Sequence, residues 1–355
     1  MPATSIDTFF ACSLLVVLVV SVMATMPEAM NPFLDGLADK NDTERLQQLA
    51  QYIVLSTGAP ADWGNNRDVS PTDFGLALNN ASTPYTLDAD KVTRLNSRNA
   101  YSINYAQLLD ALKVSNIALE IHIQPLFNTS INLMSSTNNG SETNYNFEIT
   151  TQNSGLPVVS NMSCYLIVRN FVDNMTSFTN SSGKGAAAFK VPNSINGSAL
   201  LIVFARAQAN PSVVSFGISS FEHDAQVPEV NDTFAGLNPL DYRLNVSFDY
   251  LNEQVLGAYA FSYSYWANLT MLANTTQTAE YSFPHFLDKS TTVLVLTGLN
   301  GTESFAEWVS YPQIPLDIGV NFDSSNSTEN VASFTYIVTI DSASYELQIK
   351  CMEVG

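Results

Sequence analysis

The chain is poor in basic residues. Among its 355 residues, 14 are Lys or Arg and 33 are Asp or Glu, which gives a formal net charge of −19. Because proteins that bind nucleic acids neutralise phosphates with clustered Lys and Arg, this shortage excludes a nucleic-acid partner. Charged residues of both signs make up 13% of the chain, against roughly 25% in an average globular protein. Something other than charged side chains must therefore hydrate the surface.

Histidine and cysteine are also scarce, with three of each. The sequence contains no His-Glu-x-x-His, Cys-x-x-Cys, Gly-x-Ser-x-Gly or phosphate-loop pattern. His122 lies beside Glu120 on the polar side of an alternating segment, which is typical of a surface residue. We therefore predict no catalytic, cofactor-binding or metal-binding residues, and we do not expect an enzyme. A secreted hydrolase is the least favoured function.

The densest acidic run is Glu222-His223-Asp224, with Glu229 and Asp232 nearby. Its side-chain oxygens could ligate Ca²⁺. A solvated linker between two domains is the favoured interpretation.

Acceptor sites for N-linked glycans are abundant. The chain has 14 Asn-x-Ser/Thr sequons without proline, where chance predicts roughly six. No sequon lies in the first 40 residues. We predict a glycosylated exterior protein whose sugars supply the hydration that charge does not, with no other cofactor. The acceptors are Asn41, Asn80, Asn128, Asn139, Asn161, Asn174, Asn180, Asn196, Asn231, Asn245, Asn268, Asn274, Asn300 and Asn326.

The N-terminal segment is free of charge. No charged residue occurs between Asp7 and Glu28, and residues 8–27 have the length of a membrane-spanning helix. The run is apolar on all sides, so we predict a helix buried in lipid or in a helical bundle. A secretory signal peptide is disfavoured because no basic residue precedes Lys40. If the sequons are used, everything after about residue 40 is outside the cell.

The first residues resemble a known family. The run Ala3-Thr-Ser-Ile-Asp7-Thr-Phe9 is similar to the mature N-terminus of archaeal type IV pilin-like proteins, which carry class III signal peptides. The family's leader ends in a basic residue and glycine, and only Met1-Pro2 precedes Ala3 here, so N-terminal processing stays open. Segments 61–64, 72–77, 87–96 and 336–350 also resemble parts of such surface proteins.

The resemblance implies how the chain would assemble. An acidic residue at the fifth mature position pairs with the N-terminal amine of a neighbouring subunit in this family, and the apolar helices pack into a filament core. Carried over to this chain, the acid is Asp7. The residues implied for assembly are Asp7, Phe9, Leu14, Leu15, Val17 and Leu18.

Residues 34–135 read as a small α+β domain. Apolar residues at helical spacing predict a helix over 42–56, and shorter helices are predicted over about 88–95 and after Asn104, where Asn104 and Gln107 suggest a capping box. Ile117, Leu119, Ile121 and Ile123 then alternate with polar residues, which predicts a half-buried strand.

The remainder reads as all-β. Strands are predicted over 144–151, 164–172, 186–191, 199–207, 212–219, 243–250, 256–266, 278–283, 292–297, 333–340 and 343–351. The run 179–192 resembles a hairpin of bacterial and archaeal immunoglobulin-like surface domains. The expected fold is mainly β with an N-terminal hydrophobic helix (1–33). A small α+β unit (34–135), an immunoglobulin-like β-sandwich (136–227) and a second β-domain (228–355) follow it.

Two cysteines have two possible states. Cys164 and Cys351 both fall in predicted strands outside the apolar segment, so they could form a disulfide. The alternative is two buried free thiols, since cysteine behaves as a small apolar residue.

Two functions follow from these features. The leading hypothesis is a structural subunit of an extracellular archaeal type IV pilus-like filament, a homo-oligomer with a glycosylated head that is membrane-inserted through residues 8–27 before assembly. The alternative is a singly anchored surface glycoprotein, such as an adhesin or an envelope-associated binding module.

Overall fold

The computed structural model describes residues 42–223, 234–322 and 331–354, apart from residues 252, 287 and 289. The chain divides into two compact units, 1–51 and 52–355. The described part of the first unit, 42–51, belongs to helix α1 (Asp42–Leu55). Two further helices, α2 (Ala89–Thr93) and α3 (Tyr105–Leu112), lie in the second unit, which is otherwise built mainly from strands.

The described strands form five four-stranded antiparallel sheets. Sheet I has the order β18 (Leu316–Gly319), β1 (Ile117–Pro125), β20 (Ala343–Glu353) and β19 (Ala332–Ile340). Sheet II consists of β2 (Asn128–Asn138), β3 (Glu142–Asn153), β4 (Leu156–Pro157) and β7 (Lys184–Pro192). Strand β3 pairs with β2 on one side and with β4 and β7 on the other. Sheet III has the order β6 (Phe171–Phe178), β5 (Ser160–Val168), β8 (Gly197–Ala207) and β9 (Val214–His223).

Sheets IV and V are formed by the strands between sheet III and the C-terminal strands. Sheet IV has the order β10 (Ala235–Leu240), β11 (Arg243–Phe248), β15 (Thr278–Ser282) and β14 (Thr270–Asn274). Sheet V has the order β13 (Trp266–Asn268), β12 (Glu253–Phe261), β16 (Thr292–Asn300) and β17 (Glu303–Tyr311).

Sheet III is buried on both faces. One face of β5 and β8 joins a core with sheet II that includes Phe147, Phe189, Cys164, Leu166, Leu201 and Val203. The opposite face joins a core with sheet V formed by Tyr165, Ile167, Leu200, Ile202, Phe204, Tyr259, Phe261, Val293 and Val295. Because both faces are covered, β5 and β8 are nearly continuous apolar runs without polar alternation. The result is a stack of three sheets in the order II, III, V.

Sheet I corrects part of the expected fold class. Strand β1 was expected to complete a small α+β unit, but it pairs with β20 and β18, more than 190 residues further along the chain. Ile121 lies opposite Ile349, and both side chains are fully buried. The α+β unit is therefore not a local structure. The domain boundaries after residues 33, 135 and 227 stay predictions.

The expected N-terminal hydrophobic helix is a second correction to the fold class. The described residues contain three short helices, and none of these is long and apolar enough to cross a membrane. Helix α1 has 14 residues, about 21 Å of rise, whereas the apolar part of a bilayer is about 30 Å thick. It also carries charge at Asp42, Glu44 and Arg45. The apolar segment 8–27 lies outside the described residues.

Many local features lie where the sequence predicts them. The capping box between Asn104 and Gln107 is present. The tight connection after β19 is confirmed, with left-handed φ angles of 48° at Asp341 and 75° at Ser342, as a type I′ hairpin requires. The strand predicted over 164–172 is wrong at its end, because the chain turns at Arg169 and begins a new strand. Strand β2 was missed because its side chains are mostly polar and exposed.

Helix α2 is a junction of buried charges. All five of its residues are buried, including Lys91, whose side chain has no exposed surface. Lys91 Nζ donates hydrogen bonds to the backbone oxygens of Thr57 (2.9 Å) and Ala77 (2.8 Å). Burial lowers the pKa of Lys91, since the ammonium has little water to solvate it. The two carbonyls replace that water and hold the ends of the 57–77 segment.

Arg94, which caps α2, holds the middle of the same segment. Its guanidinium donates to the backbone oxygens of Trp63, Asn66 (2.9 Å), Val69 (2.9 Å) and Tyr101 (2.9 Å). A rigid fork of donors suits this set of carbonyls. The irregular 57–77 segment belongs to no sheet, and these side-chain bonds add to its own backbone hydrogen bonds, such as the one from the Ala59 N–H to the Asp73 oxygen at 2.9 Å.

Asp90 connects α2 to the C-terminal half of the chain. Its Oδ1 accepts hydrogen bonds from the Asp241 backbone N–H and from the Tyr311 hydroxyl, both at 2.8 Å. Burial raises the pKa of Asp90 to about 6, against the opposing effect of these two hydrogen bonds. Gln313 continues the junction, because its backbone N–H donates to Thr93 Oγ1 at 3.3 Å.

The considered disulfide is not formed. Cys164 and Cys351 are both buried free thiols, in sheets III and I respectively. Burial raises the pKa of each thiol to about 12, so both are neutral at physiological pH. Cys164 contributes to the core between sheets II and III as a small apolar side chain.

We predict that Lys91→Met destabilises the fold by roughly 2–4 kcal/mol, because two buried carbonyls lose their donor. Lys184→Met is the matched control: Lys184 pairs with Glu148 at 3.1 Å but is 53% exposed. It should cost less than about 1 kcal/mol. Urea unfolding measures both. Equal losses for the two variants would contradict the structural role of Lys91.

Candidate functional site

The sequon asparagines lie at the surface wherever the structure describes them. Asn41, Asn231 and Asn326 lie outside the described residues. Of the other eleven, Asn245 and Asn300 are half-buried and none is buried. The remaining nine are exposed: Asn80, Asn128, Asn139, Asn161, Asn174, Asn180, Asn196, Asn268 and Asn274.

Asn180 shows how a sequon is presented. It lies in the turn before β7, where its Oδ1 accepts hydrogen bonds from the Ser182 hydroxyl (2.6 Å) and the Ser182 backbone N–H (2.9 Å). These bonds occupy the amide oxygen, and not the amide nitrogen to which an N-linked glycan is attached. Asn210 and Ser212 form the same turn, at 2.9 Å for the hydroxyl bond, but Pro211 between them removes the sequon.

The sequons avoid one sheet. Four of the five sheets carry a sequon asparagine in at least one strand: Asn128 in sheet II, Asn161 and Asn174 in sheet III, Asn245 and Asn274 in sheet IV, and Asn268 and Asn300 in sheet V. The four strands of sheet I, as the structure describes them, carry none. Its solvent-facing side is therefore the part of the described β structure that sugars on these strands would leave bare.

We define the outer face of sheet I by the side chains opposite its buried face. The members are Glu120, His122 and Gln124 of β1, Glu346, Gln348 and Lys350 of β20, Asp317 of β18, and Ser333, Thr335 and Ile337 of β19. Most of this face is polar and cross-linked between strands. Gln124 Nε2 donates to Glu346 Oε1 at 3.0 Å, and Gln348 Nε2 donates to Ser333 Oγ at 3.1 Å.

A cavity of about 290 Å³ opens on this face. Its charged lining residues are Glu120, Lys350, His122 and Asp317. Glu120 Oε2 lies 3.5 Å from Lys350 Nζ, and the two side chains are only 10% and 15% exposed. His122 Nδ1 contacts Asp317 Oδ1. The charges are therefore matched in pairs, and the cavity offers hydrogen-bonding groups of both kinds to a polar partner.

The surroundings of His122 raise its pKa. Burial alone would lower its pKa, but the hydrogen bonds to Asp317 and Gln124 and the charges of Asp317 and Glu120 outweigh it and raise the pKa. A histidine whose folded-state pKa exceeds its unfolded-state pKa adds stability that is fully present below the unfolded-state pKa. That contribution is lost as the pH rises through the folded-state pKa.

The other candidate positions do not gather into a site. His223 is fully buried; its Nδ1 lies 2.8 Å from the Tyr145 hydroxyl and its Nε2 lies 3.2 Å from the Pro192 oxygen. Asp224, Glu229 and Asp232 lie outside the described residues, so the calcium interpretation stays untested there. In the described ranges no group of three or more His, Cys, Asp or Glu side chains is arranged to hold a metal ion.

The residues implied for assembly also lie outside the described part of the chain. These are Asp7, Phe9, Leu14, Leu15, Val17 and Leu18. Sequence reasoning placed His122 beside Glu120 on a polar face, but it missed their partners Asp317 and Lys350. Those partners are 195 and 230 positions away, and no local pattern marks them.

We predict that Asp317→Asn lowers the pKa of His122, because the carboxylate that favours the imidazolium is lost. An NMR titration of the His122 ring measures the shift. Glu148→Gln is the control, since Glu148 pairs with Lys184 in sheet II and is not among the groups that raise the pKa of His122. An unchanged His122 pKa in Asp317→Asn would show that the pair does not form.

Comparisons with known proteins give little. No protein-family model matches the chain, and no curated protein matches it. Among solved structures, a marsupial T cell receptor is similar over 64% of this chain and 93% of that chain, at 10% sequence identity and a TM-score of 0.18.

Proposed function

We propose that the chain is a glycosylated structural protein of a cell exterior, a subunit of an archaeal pilus-like filament. In this role, sugars hydrate four of the five sheets, and the outer face of sheet I remains available for protein contact. The observation that carries the proposal is the position of the sequons: none of the eleven described acceptors is buried, and none lies in a strand of sheet I.

A lack of hydroxyl residues does not explain why the strands of sheet I have no sequon. Strands β19 and β20 contain Ser333, Thr335, Thr339 and Ser344, hydroxyl residues of the kind a sequon needs at its third position. None of them has asparagine two residues earlier. Sugar on this face would also compete with the side-chain ladder between β1, β20 and β19. Both points favour a surface kept free for contact.

The apolar N-terminal segment supports assembly or anchoring. Its freedom from charge between Asp7 and Glu28 is a property of the sequence, and it suits either a protein core or lipid. The alternative function, a singly anchored surface glycoprotein, uses the same segment and the same sugars. Electron microscopy of material shed from the cells separates the two functions: a helical polymer supports the filament, and monomers released only by detergent support the anchor.

We predict that protein purified from its producing cells carries a glycan at Asn180, because this acceptor is exposed and its amide oxygen is held in a turn. Mass spectrometry of Asn180→Gln should show the loss of one glycan. Asn210→Gln is the matched control, since it has the same turn without a sequon, and its mass should change only by the substitution. Unmodified peptides at all nine exposed acceptors would overturn the proposal.

A second prediction concerns assembly through Asp7. Asp7→Ala in the producing cells should greatly reduce the amount of filament, since an unpaired amine would be left in an apolar environment. Asp68→Ala, which removes an exposed carboxylate from the head, is the control and should assemble normally. Filaments counted by electron microscopy give the readout, and wild-type amounts for Asp7→Ala would remove Asp7 from the mechanism.

A further inference from the structure

Strand β19 has few backbone partners on one of its sides among the residues that the structure describes. On one side it pairs with β20 along its whole length, from Ala332 opposite Cys351 to Ile340 opposite Ala343. On the other side, pairing among the described residues is confined to Thr339. The Thr339 N–H donates to the Tyr85 oxygen, and the Thr339 oxygen accepts from the Leu87 N–H, both at 2.9 Å. The short segment 85–87 therefore pairs with β19 at a single residue and does not extend into a fifth strand of sheet I.

The alternation of an antiparallel strand identifies the backbone groups that point away from β20. The N–H and C=O of one residue point to the same side, and successive residues point to opposite sides. Because Thr339 points away from β20, Ile337, Thr335 and Ser333 must do so as well. Three N–H donors and three C=O acceptors therefore line the outer edge of β19 beyond the 85–87 segment.

Within the part of the chain that the structure describes, this edge lacks the usual protection against pairing. Natural edge strands carry a charge, a proline or a bulge, or are covered. Strand β19 has no charged residue, no proline and no break in its register with β20. Its residues are mostly β-branched or aromatic, and Ile337 is 57% exposed. By contrast, the edge strands β2 and β14 each have a bulge and a sequon, at Asn128 and Asn274 respectively.

We propose that β19 pairs antiparallel with β19 of a second copy, about a two-fold axis at Thr335, so that sheet I continues across two subunits. The proposal rests on the proposed function in one respect, since it uses the sheet that the sequons avoid. A self-complementary edge of this kind produces a closed, isologous contact.

The position of the axis follows from the count of hydrogen bonds. With the axis at Thr335, Thr335 faces itself, and Ser333 faces Ile337 of the second copy on either side, so all three outward residues of both copies exchange their bonds. An axis at Phe334 would leave the outward groups of Ile337 without a partner in β19 of the second copy. An axis at Tyr336 would place Ser333 opposite Thr339, whose outward groups already pair with Tyr85 and Leu87.

The side chains fit the same axis. Thr335 meets its own copy on the outer face, where hydroxyl pairs across strands are favourable. On the inner face, Phe334 lies opposite Tyr336 of the second copy, and this aromatic pair occurs twice. Both rings are half-buried in one copy. Tyr336 already stacks on Tyr85 of its own copy, with ring centroids 5.8 Å apart, so Phe334 of the second copy would add a second aromatic contact to that ring. The absence of charge on β19 also removes local repulsion between two copies of net charge −19.

The test uses cysteine variants of the full chain from its producing cells. Opposed residues of a hydrogen-bonded antiparallel pair have Cα atoms about 5.5 Å apart, a separation that a disulfide can span. Thr335→Cys should therefore cross-link to itself under mild oxidation. Ser333→Cys and Ile337→Cys should not cross-link alone, but should do so when mixed. Wild-type protein controls for the native cysteines, of which Cys164 and Cys351 are fully buried.

A second pair of variants tests the backbone. Both variants are made in Asp7→Ala protein, so that assembly through the N-terminal segment does not contribute to self-association. In that protein Thr335→Pro removes the outward N–H and none of the N–H groups that point to β20, so self-association measured by sedimentation should weaken at least tenfold. Thr335→Val keeps the N–H and is the control. Asp7→Ala protein that keeps Thr335 and is monomeric at all concentrations, or equal cross-linking at 333, 335 and 337, would overturn the pairing. Glycans at Asn180 without the cross-link would refute the pairing alone, and a cross-link without glycans would refute the proposed function alone.

Discussion

The burial of three charged side chains around helix α2 is the constraint on which much of the remaining structure depends. An ionised group in a protein interior is costly unless closely placed polar groups replace its water. Lys91 and Arg94 find those groups in backbone carbonyls of the 57–77 segment and of Tyr101, and Asp90 finds them in Asp241 and Tyr311. These partners come from distant parts of the chain. The helix can therefore be buried only when all of them are in place, which couples segments that share no sheet.

The stack of sheets imposes a second coupling. Sheet III is apolar on both faces, so sheet II alone would leave one of its faces in contact with water. Tyr165 and Phe204 project from that second face and contact Phe261 of sheet V directly or through one another. The burial of sheets II, III and V is therefore mutually dependent. The sequence of a single strand shows its own apolar pattern, but not which sheet covers it.

Local patterns predicted local structure, and distant pairings were out of reach. The alternation from Ile117 to Ile123 identified β1, and Asn104 with Gln107 identified the start of α3. Each rests on contacts within a few residues. The pairing of β1 with β20 depends on which of several similar alternating strands it meets, and a period of two cannot distinguish them. Strand β2 shows the opposite case, since its polar side chains give no apolar period and its pairing with β3 alone makes it a strand.

The same limit applies to the surface. The sequons and the shortage of Lys and Arg were visible in the sequence, but their relation to sheet I required the topology. Once the strands are assigned, charge and sugar both oppose contact between two copies of the chain. A net charge of −19 makes the copies repel each other, and sugars on four sheets would keep them apart. Strand β19 has neither a charge nor a sequon, and it has three residues with outward backbone groups. Contact between copies is therefore opposed least along the edge where hydrogen bonding can contribute most.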